Sequence, residues 1–140
     1  MKLIIINKQQ ETVQGYQVVD LRSGIEQLDQ IVNNSCTDII LSCLNSLNKS
    51  DATKVLSIAS SKMRLGGKMM VSGVELKSLC RNALNNEISS DDFSNVLQDC
   101  NCAFTSQEII QLVKSVGLNV DSVLLQGHLY EIKVSRPNKN

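Results

Sequence analysis

The sequence has little of several residue types that particular functions require. Among its 140 residues there are one proline, one histidine, two tyrosines, two phenylalanines and no tryptophan. So few aromatic rings leave little surface on which nucleic-acid bases could stack. Charge of neither sign dominates, because 14 Lys and Arg residues balance 14 Asp and Glu residues. With no net field to attract a polyanion or an anionic bilayer, we predict no nucleic-acid partner and no membrane partner.

Long apolar runs and a disulfide pattern are also missing. The N-terminal stretch MKLIIIN has one lysine and a short apolar run, well below the length of a signal-peptide core or a membrane span. The spacing of the five cysteines is not that of a disulfide scaffold, and Cys100 with Cys102 would fill only half of a tetrahedral metal site. We therefore predict reduced thiols, a cytoplasmic protein and no metal site.

The remaining composition is that of one folded domain, which we predict over residues 1–140. Hydrophobic residues make up 42% of the sequence and charged residues 20%, which is sufficient for a core. The segments NVDSVLLQ and HLYEIKVS, separated by a short turn at Gly127, predict a closing antiparallel hairpin. Four further apolar runs have strand length; they are Leu3–Ile6, Tyr16–Val19, Ile39–Leu41 and Met69–Val71.

Two segments carry the spacing of a capping box at a helix start. Ser23 and Glu26 open SGIEQLDQIV, and Thr105 and Glu108 open TSQEIIQLVKSVG, where Gly117 supplies a left-handed stop. Apolar residues recur on one helical face in each segment. The predicted faces are Ile25, Leu28 and Val32 in the first segment, and Ile109, Leu112, Val113 and Val116 in the second.

A third helix is predicted between the third and fourth strands. Ser50 or Asp51 caps it, and the pair Gly66–Gly67 ends it before a parallel strand. Its predicted buried stripe is Ala52, Leu56, Ala59 and Met63. The polar segment Asn85–Asp99 interrupts the alternation and is interpreted as a lid-like or edge insertion. The predicted fold class is α/β, a three-layer, mainly parallel sheet with a C-terminal antiparallel hairpin.

Four segments taken in order carry a family resemblance: TDIILSCLNSL, VLSIASSKMRLGGKMMVSG, FTSQEIIQLVKSVGLNV and HLYEIKVSRP. They resemble the C-terminal half of class I S-adenosylmethionine-dependent methyltransferases, from about Thr37 to Pro137. That family has an apolar strand opening with Asp, a helix and a double glycine before the next strand, a glycine-stopped helix and a final hairpin. The resemblance implies a Rossmann-like fold and, in a complete member, methyl transfer from S-adenosylmethionine.

The N-terminal part departs from the family's glycine-rich cofactor loop. With Leu3–Ile6 as the first strand, the following NKQQETVQG contains only Gly15 and is too short for a crossover helix. With VVDLRSG as the first strand and loop, Asp20 and Gly24 match parts of the family's Asp-x-Gly-x-Gly pattern. The strands that supply an acidic ribose ligand and an adenine ligand would then be absent. Both alignments remain open at this point.

Four residues are candidates for cofactor contacts on this resemblance: Asp20, Gly24, Ser42 and Asn45. Asp20 ends an apolar strand, where an α/β sheet places its ligand crevice, and its carboxylate would accept a ribose hydroxyl. The alternative role for Asp20 is a cap that ends the strand. Ser42 and Asn45 follow the strand Ile39–Leu41, and Asn45 would hydrogen-bond an amine or amide substrate. No residue is predicted to be catalytic.

The shortened cofactor region also resembles the N-terminal domain of anamorsin-type proteins, to which DIILSCL and the later Gly-Gly pair look similar. That resemblance implies a binding module without the glycine loop. Our first hypothesis is a non-catalytic, methyltransferase-like domain that acts as a protein-interaction or regulatory module, through a protein partner or as a homodimer, with no cofactor. The alternative is a minimal S-adenosylmethionine-dependent methyltransferase whose cofactor pocket is completed by another subunit.

Overall fold

A computed structural model of the chain describes residues 1–8 and 12–138. Its strands are β1 (Lys2–Ile6), β2 (Gln17–Asp20), β3 (Cys36–Leu41), β4 (Met63–Val74), β5 (Asn119–Gln126) and β6 (Leu129–Ser135). Its α-helices are α1 (Lys49–Lys62), α2 (Leu76–Leu84), α3 (Ser90–Gln98) and α4 (Ser106–Ser115). Short 3₁₀ turns cover Leu21–Ser23, Ile25–Gln30 and Leu44–Ser46. No helix in the described ranges is long and apolar enough to cross a bilayer.

All six strands form one sheet in the order β2-β1-β3-β4-β6-β5. Strand β1 pairs in parallel with both β2 and β3, and β3 pairs in parallel with β4. Strand β6 pairs antiparallel with β4 and β5, so the hairpin completes the sheet. The predicted α/β class, the mainly parallel sheet and the C-terminal antiparallel hairpin are confirmed.

The main core lies on one face of the sheet, because successive strand residues alternate between the two faces. Leu3, Ile39 and Met69 are buried on this face together with residues of α1, α4 and the turn Ile25–Gln30. Strand β6 alternates in the same way, since its inward residues are all buried; these are Tyr130, Ile132 and Val134. The covered face therefore ties the central strands to the C-terminal hairpin.

Helix α4 begins as the sequence predicts. The Glu108 backbone N–H donates to Thr105 Oγ1 at 3.1 Å, and the Thr105 N–H donates to Glu108 Oε1 at 3.0 Å. This hydrogen bond from Thr105, followed by the Lys49 ammonium, lowers the pKa of Glu108 below its ordinary value. After the helix, Gly117 has a φ of +87°, a backbone conformation that glycine adopts without strain.

Helix α1 has the predicted buried stripe but different ends. Its cap is Asn48, whose Oδ1 accepts a hydrogen bond from the Asp51 N–H at 2.8 Å, so the predicted cap at Ser50 or Asp51 is wrong. The predicted stripe is confirmed within the helix for Ala52, Leu56 and Ala59, which are buried; Met63 is buried as well, but it is the first residue of β4. The helix ends at Lys62, and β4 begins at the next residue.

The pair Gly66–Gly67 therefore lies inside β4, and the prediction that it ends the helix is wrong. The pairing of β3 with β4 is irregular between Met63 and Lys68. Gly66, with φ +76°, donates its N–H to the Arg136 carbonyl at 3.0 Å, and the Arg136 N–H donates to the Gly67 carbonyl at 2.9 Å. The glycine pair thus shapes an irregular strand start that holds the segment after β6.

The first predicted capping box is wrong. Residues 25–30 form a 3₁₀ turn after Gly24, which makes no side-chain cap, and an α-helix starting at Ser23 is not formed. Ile25, Leu28 and Ile31 recur every three residues, which is the period of a 3₁₀ helix. Leu28 and Ile31 are buried, whereas Val32, predicted on the apolar face, is 70% exposed. The apolar spacing explains why a tighter turn forms here.

The segment Asn85–Asp99 lies beyond the carboxyl end of β4. It contains a turn and helix α3, which packs against α2. Leu84 before the turn and Leu97 in α3 are 83% and 47% exposed. The interpretation of this segment as a lid or edge insertion stays a prediction.

Replacing Thr105 tests the start of α4. Thr105→Ala removes the acceptor for the Glu108 N–H, and we expect a loss of about 1 kcal/mol in the free energy of unfolding. Thr53→Ala is the matched control, because Thr53 Oγ1 donates to the Lys49 carbonyl inside α1 and caps no helix. Urea unfolding followed by circular dichroism measures both. Equal losses in the two variants would contradict the role given to Thr105.

Candidate functional site

The parallel strands β1, β2 and β3 are neighbours, so their carboxyl ends lie side by side at the same end of the sheet. Strand β2 pairs on one side of β1, and β3, the next strand along the chain, pairs on its other side. Such a reversal of strand order forms the ligand crevice of an open α/β sheet. The central position of β1 also favours the alignment that takes Leu3–Ile6 as the first strand, because β2 is an edge strand.

A cavity of about 150 Å³ lies at this point, between the ends of β1 and β3. Its lining comprises Ile6, Asn7, Lys8, Ser42, Cys43 and Ser46. A second cavity of about 230 Å³ lies next to Ser72 and Glu131 and is also lined by Ser42. The predicted site residue Ser42 thus lies in the crevice and borders both cavities.

Asp20 is held by its own turn. The Arg22 N–H donates to Asp20 Oδ1 at 3.0 Å, and Arg22 Nε donates to Oδ2 at 2.7 Å. These contacts with the Arg22 side chain and backbone lower the pKa of Asp20. The carboxylate therefore acts as the strand-ending cap that the sequence offered as an alternative. A role in ribose binding stays a prediction.

Gly24 follows the same turn with a φ of +123°. A Cβ atom at this position would lie 2.2 Å from the Glu26 carboxylate oxygens. The glycine is explained by this backbone conformation rather than by crowding, because the Glu26 side chain is exposed and could move aside. Its predicted cofactor contact stays a prediction.

Asn45 connects three segments near the crevice. Its Oδ1 accepts from the Val74 N–H at 2.9 Å, and its Nδ2 donates to the Cys102 carbonyl at 3.0 Å. Its backbone carbonyl also accepts from the Asn101 N–H at 2.7 Å. Both ends of the side-chain amide are engaged within the fold, so a substrate contact would have to share or replace these bonds.

Two buried polar residues near Asn45 were missed by the sequence-based predictions. Glu75 is 2% exposed, and its carboxylate accepts hydrogen bonds from the Ser78 N–H at the start of α2 and from the Ser106 N–H at the start of α4. Tyr130 is 1% exposed, and its hydroxyl has no hydrogen-bond partner among the described residues. Burial raises the pKa of Tyr130 above its ordinary value. Glutamate is not among the residues preferred at a helix N-cap, so the sequence carries no signal for the role of Glu75.

The thiols at this end of the sheet are poor nucleophiles. Burial raises the pKa of Cys43 to about 12, so its thiol is protonated at neutral pH. Burial also raises the pKa of Cys102, whose Sγ donates to the Leu44 carbonyl at 3.2 Å. Within residues 1–8 and 12–138, no three His, Cys, Asp or Glu side chains are grouped to hold a metal ion.

A further concavity that involves the central strands lies on the sheet face opposite the main core. It has a volume of about 390 Å³ and is lined by strand residues and Tyr16. Ile40 and Met70 are half-buried in it, and Lys68 and Lys133 are exposed at its border. We call this region the outer sheet face; it comprises Tyr16, Asp38, Ile40, Lys68, Met70, Asp121 and Lys133.

Truncating Asn45 tests its role as the connector at this site. Asn45→Ala leaves the Val74 N–H and the Cys102 carbonyl without their partner, and we expect unfolding to become easier by about 1–3 kcal/mol. Asn95→Ala, on the exposed side of α3, is the matched control and should change stability by less than about 0.5 kcal/mol. Thermal and urea unfolding measure the difference. A cost for Asn45→Ala no larger than that for Asn95→Ala would rule out this role.

Sequence comparison places the chain in no characterised group: no family model matches it, and no curated protein resembles it in sequence. Solved structures resemble it in fold. A S-adenosylmethionine-dependent methyltransferase from Archaeoglobus fulgidus matches with a TM-score of 0.66 and 12% identity, over 96% of this chain and 86% of that one. An O-methyltransferase family protein from Burkholderia thailandensis matches with a TM-score of 0.64 and 15% identity, over 89% of this chain. This chain spans only 37% of the length of that protein.

A third structure is the 1,6-didemethyltoxoflavin-N1-methyltransferase of Burkholderia thailandensis, with 1,6-didemethyltoxoflavin and S-adenosylhomocysteine bound. It matches with a TM-score of 0.61 and 9% identity, over 97% of this chain and 71% of that one. At these identities the similarity is one of fold. The chain has a methyltransferase-like fold, as the resemblance in its C-terminal segments implies. The similarity to anamorsin-type domains stays a resemblance.

Proposed function

We propose that the chain is a methyltransferase-like interaction module that binds a helix of a partner protein on its outer sheet face. In this proposal the chain does not transfer methyl groups by itself. The observation that carries the proposal is the concavity of about 390 Å³ on that face, whose lining comes from strands and Tyr16. The half-buried side chains of Ile40 and Met70 provide its apolar part.

A helix is the partner element that suits this surface. Parallel strands are almost always covered on both faces, usually by helices. Here β1, β3 and β4 are parallel, and their core face is covered by helices of the same chain. A partner helix with an apolar stripe would cover Ile40 and Met70. Its charged flanks would meet the lysines and aspartates of the outer sheet face, which carry both signs of charge.

The chemistry at the carboxyl end of the sheet supports a binding role for the isolated chain. The Asp20 carboxylate is occupied by Arg22, and the Asn45 amide is occupied by Val74 and Cys102. The Cys43 thiol is protonated at neutral pH because burial raises its pKa. Two of the four candidate contact residues, Asp20 and Asn45, are thus engaged in bonds within the fold.

One observation favours the alternative, a methyltransferase whose pocket is completed by another subunit. Ser42 borders two cavities, of about 150 and 230 Å³, along the crevice edge of the sheet. Asp20 is the last residue of β2, which pairs with β1 on the side opposite β3. If a partner subunit enclosed these cavities, the complex would bind S-adenosylmethionine although the isolated chain does not.

Titration with S-adenosylhomocysteine separates these functions. We expect no change in the melting temperature of the isolated chain, because Asp20 and Asn45 are already bonded within the fold. A cofactor site would instead stabilise the fold by about 2.7 kcal/mol at a hundredfold excess over its dissociation constant. The control is Asp20→Ala. A dose-dependent rise that Asp20→Ala abolishes would overturn the proposal, whereas a rise seen only with the partner present would support the alternative.

Introducing a charged side chain on the outer sheet face tests whether a partner protein binds there. A partner is first identified by affinity purification from the source cells and then purified for direct titration. We expect Met70→Glu to weaken binding at least tenfold, since a carboxylate would replace an apolar contact. Val32→Glu is the matched control, because Val32 is exposed and does not line this concavity. Equal affinity of Met70→Glu and the unchanged chain would exclude the outer sheet face as the partner site.

A further inference from the structure

The two edges of the sheet differ in length and protection. Strand β2 forms one edge with four residues, and β5 forms the other with eight. Short strands, lysines and prolines are the usual features that keep sheet edges from pairing with another chain. Strand β5 has eight residues and neither lysine nor proline in its sequence NVDSVLLQ. A β-bulge also protects an edge, and the irregularity of β5 lies at Asp121, its one charged residue, which leaves Ser122–Gln126 without any of these features.

Strand β5 also exposes consecutive apolar side chains. Val123, Leu124 and Leu125 are 43%, 52% and 49% exposed. Because these neighbours alternate between the two faces of the sheet, both faces are apolar at this edge. Such an edge offers backbone hydrogen bonds and apolar contacts at the same place. It therefore suits the addition of another strand.

The regular part of β5 has a definite centre. Its pairing with β6 is irregular between Val120 and Ser122, where Asp121 is the extra residue. Regular pairing then runs from Ser122 to Gln126. The middle residue of this five-residue stretch is Leu124.

We infer that two copies of the chain pair antiparallel through β5, with the two-fold axis at Leu124. A two-fold axis perpendicular to the sheet keeps the faces of both copies aligned. In this register Leu124 lies opposite Leu124 of the second copy, Val123 lies opposite Leu125, and Ser122 lies opposite Gln126. Apolar residues thus meet apolar residues on each face, and the flanking pair is polar.

Charge allows this pairing. The segment Ser122–Gln126 carries no charged residue, so no like charges stand opposite each other in the new ladder. The Asp121 carboxylates of the two copies lie about six residues apart along the strands, which corresponds to roughly 20 Å. The result is a continuous sheet that contains both copies. This inference is independent of the partner helix proposed above, because the pairing segment Ser122–Gln126 does not line the concavity of the outer sheet face.

Cysteine cross-linking tests the register. In a Cys80→Ser background, which removes an exposed thiol, Leu124→Cys should form a disulfide-linked dimer on mild oxidation, because opposed Cα atoms in antiparallel strands are about 4.5–5.5 Å apart. Ser122→Cys alone and Gln126→Cys alone should not cross-link, but a mixture of the two should. The background chain without a new cysteine measures cross-linking through the remaining thiols. No cross-linking of Leu124→Cys above that level would overturn the inference.

Sedimentation of the unmodified chain tests the assembly itself. We expect a concentration-dependent equilibrium between monomer and dimer. Leu124→Lys should weaken the dimer roughly tenfold or more, because it removes a buried leucine pair and opposes two ammonium groups. Leu84→Lys is the matched control, since Leu84 is 83% exposed on α2 and should leave the equilibrium unchanged. A monomer at all concentrations, larger assemblies, or equal effects of the two lysines would overturn the inference.

Discussion

The side-chain amide of Asn45 is the contact on which the carboxyl end of the sheet depends. It joins the turn after β3 to the end of β4 through Val74, and to the segment before α4 through Cys102. These segments are 29 and 57 residues away from Asn45 in sequence. A hydrogen bond between such distant segments fixes the relative positions of strands and helix at once. The crevice between β1 and β3 therefore has a rigid border on its β3 side.

The sequence could predict the elements whose signals are local. Thr105 and Glu108 are three residues apart, so the residues that make both bonds of the capping box are visible in the sequence, and the structure has both bonds. The same spacing at Ser23 and Glu26 gives a wrong prediction of a helix start. There Ser23 ends a turn that Asp20 caps, and Gly24 adopts a φ of +123°. Local spacing identifies the donors and acceptors that are available, but tertiary packing decides whether they are used.

The candidate site was less predictable because its residues act across long distances. Ser42 was found because strand ends in α/β sheets form the crevice, which is a rule of topology. Three other features of the site depend on which segments become neighbours. They are the hydrogen bonds of the Asn45 amide, the Glu75 carboxylate that joins the starts of α2 and α4, and the buried hydroxyl of Tyr130. A single sequence shows none of these neighbours. The wrong prediction for Gly66–Gly67 has the same cause. The hydrogen-bond partner of both glycines is Arg136, which is far away in sequence.

Gly73 shares the space around the Asn45 amide. A Cβ atom on residue 73 would lie 2.3 Å from Asn45 Oδ1 and 3.0 Å from the Tyr130 hydroxyl. A larger residue at position 73 would therefore require both the Asn45 amide and the Tyr130 ring to shift. The space that glycine leaves at position 73 is thus what allows Asn45 to reach the Val74 N–H. A relative that keeps this hydrogen bond should also keep glycine at position 73.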